Sequence, residues 1–169
     1  MMLLKSARLL IRPFSREDEA SAIALFTDPD FMAGSLDGLL SPTEARDKLQ
    51  TLIALYQTHG FSKLALIENI SQRLIGYCGF GLELIEGKLM QEFGYRLHPD
   101  ARGKGFATEA ARFIVADAFS RLDMPRIQAI VEEDNAPSRR VLEKLGMVYR
   151  RQLVFHQREW LLYRLERPT

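Results

Sequence analysis

The segment that decides the fold reads Tyr95-Arg-Leu-His-Pro-Asp-Ala-Arg102-Gly-Lys-Gly-Phe-Ala107-Thr-Glu109. Its pattern predicts a strand, a short loop and then a helix. Gly103 and Gly105 allow backbone conformations that strain other residues, and successive N–H groups of such a loop can point into one concavity. Because the N-terminus of a helix favours an anion, the segment is typical of a phosphate or pyrophosphate site, to which Arg102 and Lys104 add positive charge.

Two common phosphate-binding motifs do not match this loop. A P-loop places Ser or Thr directly after its lysine to bind magnesium, whereas Lys104 is followed by Gly105 and Phe106. The dinucleotide fingerprint needs a third glycine after Gly103 and Gly105. The pattern therefore argues against a nucleoside-triphosphate enzyme. A second glycine-rich stretch, residues 76–81, has its glycines in the wrong order for that fingerprint and predicts a tight or bulged part of a strand.

Hydrophobic spacing on both sides of the loop predicts a mixed α/β fold. Apolar residues of 108–122 recur at alternating spacings of 1 and 3, as in an amphipathic helix. A strand at 126–131 is reached through this helix, so we expect it to run parallel to the strand before the loop. The other expected elements are an edge-near strand at 8–14, helices starting at Ser15-Arg-Glu-Asp18 and Ser41-Pro-Thr-Glu44, a meander of strands at 61–68, 74–84 and 89–97, a helix at 137–145, and a hairpin of strands at 148–155 and 160–165.

The length and composition of the chain predict a single domain, residues 1–169. With 47% hydrophobic and 27% charged residues, a chain of this size folds without a disulfide or a metal, and Cys78 is its single cysteine. Twenty-three Lys and Arg against 22 Asp and Glu give a formal charge of +1, which argues against bulk-charge binding of nucleic acid. Charged residues interrupt the apolar residues near the N-terminus, so we expect no signal peptide, no membrane span and a cytoplasmic protein.

The loop pattern Arg/Gln-x-x-Gly-x-Gly/Ala is matched by Arg102, Gly105 and Ala107 and resembles the acetyl-CoA pyrophosphate loop of the GNAT superfamily of N-acetyltransferases. Asn135, followed by a helix that ends in Leu-Gly-Met, resembles the second signature of that family. The expected helix and strand separate the two signatures. The N-terminal Arg-Leu-Leu-Ile-Arg-Pro and the strand at 93–99 are similar to the branch that contains the ribosomal-protein N-terminal acetyltransferases.

This resemblance implies a GNAT fold, in which flanking helices cover a mostly antiparallel sheet with a parallel, splayed pair of strands around the acetyl-CoA site. The pantetheine would enter between strands 92–97 and 126–131, and we expect a bulge at Gly94. The residues implied to contact acetyl-CoA are Leu97, Arg102, Gly103, Lys104, Gly105, Phe106, Ala107, Thr108, Asn135 and Ser138. Asn135 is equally well explained as a helix cap. The three histidines lack ligand spacing, so we expect no metal.

The resemblance also implies that an amine attacks the thioester directly in a ternary complex. The main-chain N–H of Leu97 or a neighbour is implied as the donor to the oxyanion. Glu92 is our first choice as the base and Glu83 the second. In the competing interpretation, Glu92 is a surface carboxylate paired with Arg96 or Lys88.

The group that protonates the leaving thiolate is less clearly marked. Many family members have a tyrosine directly before the Glu-Lys-Leu-Gly run, where this chain has Leu142. This departure leaves Ser138, Tyr163 or water. Ser138 is our choice, because its position is similar to that of a serine used by some members of the ribosomal branch. The departure also favours a rival function, a CoA-binding sensor or regulatory domain without catalysis.

No single residue identifies the acceptor amine. It could be a protein N-terminus or a small molecule such as a polyamine, an amino acid or an antibiotic. In relatives, the segment 26–40 and the second helix shape the acceptor pocket. The acidic residues 132–134 could attract a cationic acceptor or form a solvated strand end. A monomer and a homodimer both remain open.

Overall fold

The computed structural model describes residues 2–169 and forms one eight-stranded mixed sheet within them. Its strands are β1 (Leu4–Lys5), β2 (Leu9–Arg12), β3 (Lys63–Glu68), β4 (Leu74–Ile85), β5 (Lys88–Leu97), β6 (Arg126–Val131), β7 (Val148–Phe155) and β8 (Arg158–Glu166). The order across the sheet is β1-β2-β3-β4-β5-β6-β8-β7. β5 and β6 run parallel and the other neighbouring pairs run antiparallel, which confirms the mixed α/β fold and the parallel crossover.

Helices cover both faces of this sheet. They are α1 (Glu19–Phe26), α2 (Pro29–Met32), α3 (Pro42–His59), α4 (Phe106–Ser120) and α5 (Ala136–Lys144). Successive side chains of a strand point to opposite faces, and on β3 Leu64 packs with α4 whereas Ala65 packs with α1 to α3. On β5, Phe93 and Leu97 belong to the α4 cluster. Glu92 and the other even-numbered residues of β5 therefore lie on the face of α1 to α3.

None of the helices between residues 2 and 169 has the length and apolar composition needed to cross a bilayer.

Two predicted helix starts are confirmed by their hydrogen bonds. The Ser41 hydroxyl accepts from the N–H of Glu44, whose carboxylate accepts from the N–H of Ser41, and α3 ends at left-handed Gly60. At the first helix, the Asp18 carboxylate accepts from the N–H of Ser15. The first turn there is a 3-10 turn, and α1 follows it.

Two short elements were not predicted from the sequence. β1 has two residues and pairs with β2, so β2 is the second strand from the edge. The Asp28 carboxylate accepts from the N–H groups of Asp30 and Phe31 and so caps the start of α2. Pro29 at the first helical position was the available signal for this helix.

The glycine-rich stretch of β4 is tight and bulged, as predicted. A Cβ at Gly76, where φ is +156°, would collide with the carbonyl oxygen of Arg96 on β5. The pairing of β4 with β3 skips Ile75. The bulge expected at Gly94 is wrong, because the register between β4 and β5 runs continuously through that residue. The irregularity lies on the neighbouring strand because the crowded glycines are there.

The parallel strands β5 and β6 separate after a short contact. Within residues 2–169, one register pair joins them, Glu92 with Gln128, whereas β6 pairs with β8 along its whole length. Both strands continue beyond this pair, to Leu97 and Val131. We call the space between them the β5–β6 gap.

Candidate active site

The loop between β5 and α4 presents main-chain N–H groups without partners. Gly103 and Gly105 adopt left-handed conformations, with φ of +72° and +82°, and Gly105 precedes α4 without a side chain to cap it. Among the described residues, no acceptor lies within hydrogen-bonding distance of the N–H groups of residues 105–108. Because a helix N-terminus carries partial positive charge, these groups can bind an anion. We call residues 103–108 the anion loop.

Arg8 holds the anion loop in place from the other end of the chain. Its main-chain N–H and its Nε donate to the Glu109 carboxylate at 2.9 and 2.8 Å, and its Nη1 donates to the carbonyl of Lys104 at 2.9 Å. Its guanidinium also lies 4.2 Å from the ring centre of Phe106. Burial alone would raise the pKa of Glu109, but hydrogen bonds from Ser6 and Arg8 hold it below its usual value. From the sequence, Arg8 was expected to belong to the first strand, and its contact with the loop was not predicted.

The two basic residues of the loop, Arg102 and Lys104, differ in what their side chains contact. Arg102 donates from Nε to the carbonyl of Leu97 at 3.0 Å, from Nη2 to the carbonyl of Asp30 at 3.4 Å, and from its main-chain N–H to the carbonyl of Pro99. These groups fasten the loop to β5 and α2, and the contact of Arg102 with acetyl-CoA stays a prediction. Lys104 is exposed, so its ammonium is accessible to a ligand.

The segment 26–40 is tied to β5 by a second arginine. Nη1 of Arg96 donates to the carbonyls of Phe31 and Ala33 at 3.0 and 2.9 Å. Arg96 is thus engaged with α2 and does not pair with Glu92.

The main-chain N–H of Leu97 points into the β5–β6 gap. The N–H of His98 donates to the carbonyl of Ile75 on the other side at 2.8 Å. Because successive N–H groups of a strand point in opposite directions, that of Leu97 points away from β4. It lies beyond the register pair of Glu92, where β6 has separated from β5. The position suits a donor to a developing negative charge.

Glu92 is a largely buried carboxylate at the start of this gap. Its side chain is 14% exposed, and its Oε2 lies 3.4 Å from Nζ of Lys63 on β3. The N–H of Ile130 on β6 also favours its ionised form. Burial raises the pKa of Glu92 and the charge of Glu83 adds to this, whereas Lys63 and the N–H of Ile130 oppose it. The partner of Glu92 is thus Lys63, and the pairing with Arg96 or Lys88 in the competing interpretation is wrong.

Three polar side chains meet where α5 begins. The Asn135 side chain accepts from the N–H of Ser138 at 3.3 Å, so it caps the helix. The Tyr95 hydroxyl donates to Oγ of Ser138 at 3.2 Å. Burial raises the pKa of Tyr95, which therefore stays protonated as a donor. The sequence contained no signal for this pair, because Tyr95 and Ser138 lie 43 residues apart.

The other candidate acid is engaged elsewhere. Tyr163 is buried, and its hydroxyl accepts from Nε of Arg139 and donates to the Glu143 carboxylate at 3.2 and 3.3 Å. Leu142, at the position of the family's tyrosine, is buried in the core. Ser138 is therefore the more suitable of the two hydroxyls named from the sequence.

The single cysteine does not supply a nucleophile. Cys78 is buried on β4, and burial raises its pKa to about 12. Its thiol therefore stays protonated at neutral pH. Only the thiolate is a good nucleophile, so Cys78 is unreactive.

The acidic residues 132–134 line a groove beside the end of β6. The groove has a volume of about 620 Å³ and is also lined by Gln152, Arg158, Glu159 and Leu161. Glu132 pairs with Arg158 at 2.6 Å, so part of the acidic charge is neutralised within the groove.

An open gap between parallel strands, a helix N-terminus with free N–H groups and a buried carboxylate on β5 suit an enzyme that binds an extended, phosphate-bearing donor. Residues 8–148 match the family described as acetyltransferase (GNAT) domain, and the chain belongs to this family. The protein is therefore an acetyltransferase, and acetyl-CoA is the donor that the family uses.

Relatives agree with this assignment, and solved structures share the fold. The uncharacterized N-acetyltransferase YoaA of Bacillus subtilis (strain 168) is 31% identical over 145 residues, which cover 85% of this chain and 81% of YoaA. A GnaT-family acetyltransferase from Bordetella pertussis is 23% identical with a TM-score of 0.86, covering 97% of this chain and 99% of that one. RimL, a ribosomal L7/L12 alpha-N-protein acetyltransferase solved in complex with coenzyme A, is 18% identical with a TM-score of 0.81, covering 98% of each chain. The two structures share the fold.

The anion loop fits the pyrophosphate of acetyl-CoA, because its free N–H groups offer donors that no protein atom between residues 2 and 169 satisfies. In that same range, no three His, Cys, Asp or Glu side chains are grouped as ligands for a metal ion.

Proposed function

We propose that the protein transfers the acetyl group of acetyl-CoA to a primary amine by direct attack in a ternary complex. One observation carries this proposal: β5 holds the Glu92 carboxylate beside the β5–β6 gap and leads directly into the anion loop and α4, which packs on the other face of the sheet. The donor would enter from the α4 face and the amine from the face of α1 to α3. Neither substrate would then need to leave before the other binds.

The anion loop and the gap hold the donor in this mechanism. N–H groups of residues 103–108 bind the pyrophosphate, and Lys104 adds charge beside it. When bound, acetyl-CoA supplies a thioester carbonyl that an amine can attack. The N–H of Leu97 donates to the carbonyl oxygen as it gains negative charge.

Glu92 takes a proton from the acceptor. A lysine side chain is neutral in only about one molecule in 2,500 at pH 7, whereas an α-amine with a pKa of about 7.7 to 8.0 is neutral in roughly 10 to 15% of molecules. Glu92 accepts one proton from the ammonium form and releases it to solvent. The amine nitrogen then bonds to the acetyl carbon, the C–S bond breaks, and the second amine proton is left for the sulfur.

Ser138 gives its hydroxyl proton to the leaving sulfur and takes up the second amine proton in its place, through water, and Tyr95 orients the Ser138 hydroxyl. The Tyr95 hydroxyl donates to Oγ of Ser138, which leaves the serine proton free to point into the gap. Asn135 fixes the main chain of Ser138 by capping α5. A covalent acetyl-cysteine route lacks a reactive thiolate, because Cys78 is buried and protonated.

The proposed acceptor is a protein N-terminus or a small primary amine. An α-amine needs less help from a base than a lysine side chain does. Neighbours of similar fold include the ribosomal L7/L12 acetyltransferase RimL, which supports testing N-terminal peptides first. Residues 1–169 would act as one catalytic domain.

The proposal is tested by following release of free thiol from acetyl-CoA with N-terminal peptides, polyamines and amino acids, together with calorimetric binding of CoA. We expect turnover with at least one amine. Tight CoA binding without turnover on any acceptor would instead support the sensor suggested by Leu142. A folded protein that shows neither CoA binding nor turnover with any amine would overturn the acetyl-CoA proposal.

Removing the Ser138 hydroxyl is expected to lower kcat by about ten- to a hundredfold, at the low end of general acid–base effects, because a thiolate leaves with modest help. Ser138→Ala keeps the main-chain N–H that Asn135 caps, so the melting temperature should stay close to that of the wild type. Ser138→Thr retains a hydroxyl and serves as the control. Equal kcat values for the alanine variant and the wild type would remove Ser138 as the acid.

A further inference from the structure

Lys63 lies in a narrow space on the α1 to α3 face of the sheet. Three glycines border this space: Gly79, Gly81 and Gly94. Its side chain is 16% exposed. Its Nζ lies 3.2 Å from the carbonyl of Gly79, 3.5 Å from the carbonyl of Glu92 and 3.4 Å from Oε2 of Glu92. A Cβ at Gly94 would lie 2.8 Å from this Nζ, and a Cβ at Gly81 would lie 3.8 Å from Cε. The glycines therefore leave the room that the lysine fills.

These contacts give the ammonium a defined position. An ammonium group has three donors, and three oxygen atoms surround it here. Removing the Lys63–Glu92 ion pair from water costs free energy. Replacing a buried ion pair by apolar side chains of similar volume often leaves the stability of a protein unchanged or raises it. A purely structural role therefore does not explain why the lysine is placed beside Glu92.

We propose that Lys63 is a positioning residue for acetyl transfer: its ammonium keeps the Glu92 carboxylate ionised and fixed at the β5–β6 gap, ready to accept the amine proton. This inference rests on the proposed function, in which Glu92 is the base. Glu92 remains the group that receives the proton, and Lys63 acts only through it. No proton leaves Lys63 in the reaction.

The charges around Glu92 set the direction of the effect. From β3, Lys63 favours the carboxylate; from β4, Glu83 opposes it; from β6, the N–H of Ile130 favours it. On β8, Arg164 donates to the side chain of Gln128, which is paired in register with Glu92. On β5 itself, Arg96 donates to carbonyls of the α2 segment.

Removing the Lys63 charge should therefore raise the pKa of Glu92 further, since burial already raises it and Lys63 opposes that shift. Only the ionised carboxylate accepts a proton, so activity falls as the pH drops through this pKa. In Lys63→Met, the acid limb of kcat/KM should move to higher pH by about one unit, the low end of what a close opposite charge contributes. At a pH on that limb, activity should be roughly tenfold lower, and it should recover at higher pH.

Two further variants separate charge from folding. Lys63→Arg keeps the charge and should leave the acid limb close to that of the wild type. Gly94→Ala keeps both charged residues but places a methyl group where Nζ lies, so it should shift the limb in the same direction by a smaller amount. It tests the proposal even if Lys63→Met does not fold.

The decisive measurement pairs these pH profiles with a carbon NMR titration of the Glu92 carboxyl group in the wild type and each variant. Parallel shifts of the titration and the acid limb would establish the proposal. An unchanged Glu92 titration in Lys63→Met, or an equal loss of activity at every pH, would overturn it while leaving Glu92 as the base. A shifted titration with an unmoved acid limb would show that Glu92 is not the base, and the proposed function would fail at that residue together with this inference.

Discussion

Replacing Glu92 by glutamine is expected to lower kcat by on the order of 10²- to 10⁴-fold, the range for loss of a general base. Glutamine has nearly the same volume, and its carbonyl oxygen can still accept from Lys63. The loss should therefore appear in kcat with an unchanged fold, as followed by circular dichroism. The acid limb of the pH profile should also disappear, because the group that titrates there is gone.

Glu83→Gln is the matched control for this variant. Glu83 is close enough to Glu92 for its charge to influence it, but its own strand position places it opposite Met90. We expect kcat to change by about threefold at most, as for loss of a neighbouring charge that is partly screened. If Glu83→Gln were the inactive variant and Glu92→Gln the active one, the second carboxylate named from the sequence would be the base.

Placing a carboxylate in the anion loop is expected to weaken CoA binding by about ten- to a hundredfold. Gly103 is exposed, and none of the described residues lies within 4 Å of a Cβ built on it. In Gly103→Asp, the new negative charge would lie beside the N–H groups meant for the pyrophosphate and would repel it. Calorimetry with CoA measures the change directly.

Gly103→Asn separates the charge from the backbone effect. Asparagine and aspartate have almost the same shape, and both tolerate the left-handed conformation that Gly103 adopts at φ +72° better than other residues do. The asparagine variant should therefore bind CoA nearly as well as the wild type. Equal losses in the two variants would mean that loop geometry, and not repulsion, weakens binding, and the pyrophosphate would then have to lie elsewhere.

The features that the sequence predicted well are those determined within a few residues. The N-cap of α3 depends on Ser41 and Glu44, and the anion loop depends on glycines that adopt positive φ. The apolar spacing of α4 and the crossover from β5 to β6 follow from periodicity and chain handedness. The loop and its helix could therefore be placed without coordinates, whereas the gap was expected only from the family resemblance.

The contacts that complete the candidate site were hidden because they join distant parts of the chain. Lys63 and Glu92 are 29 residues apart, and Arg8 and Glu109 are 101 apart. Alternation along β3 and β5 restricts which residues share a face, but the partner of each depends on the strand register, which the sequence does not state. For Arg102, the sequence shows that a charge lies in the loop. It does not show that the guanidinium donates to the carbonyl of Leu97.

The eight strands amount to two smaller sheets, β1 to β5 and β6 to β8, which one rung at Glu92 and Gln128 connects within residues 2–169. Beyond that rung, no further register pair joins β5 to β6 within these residues. If acetyl-CoA lies between the two strands as proposed, it would connect the two smaller sheets and stabilise the folded protein. Any ligand that binds only the folded state adds about 2.7 kcal/mol of stability at a concentration one hundred times its Kd.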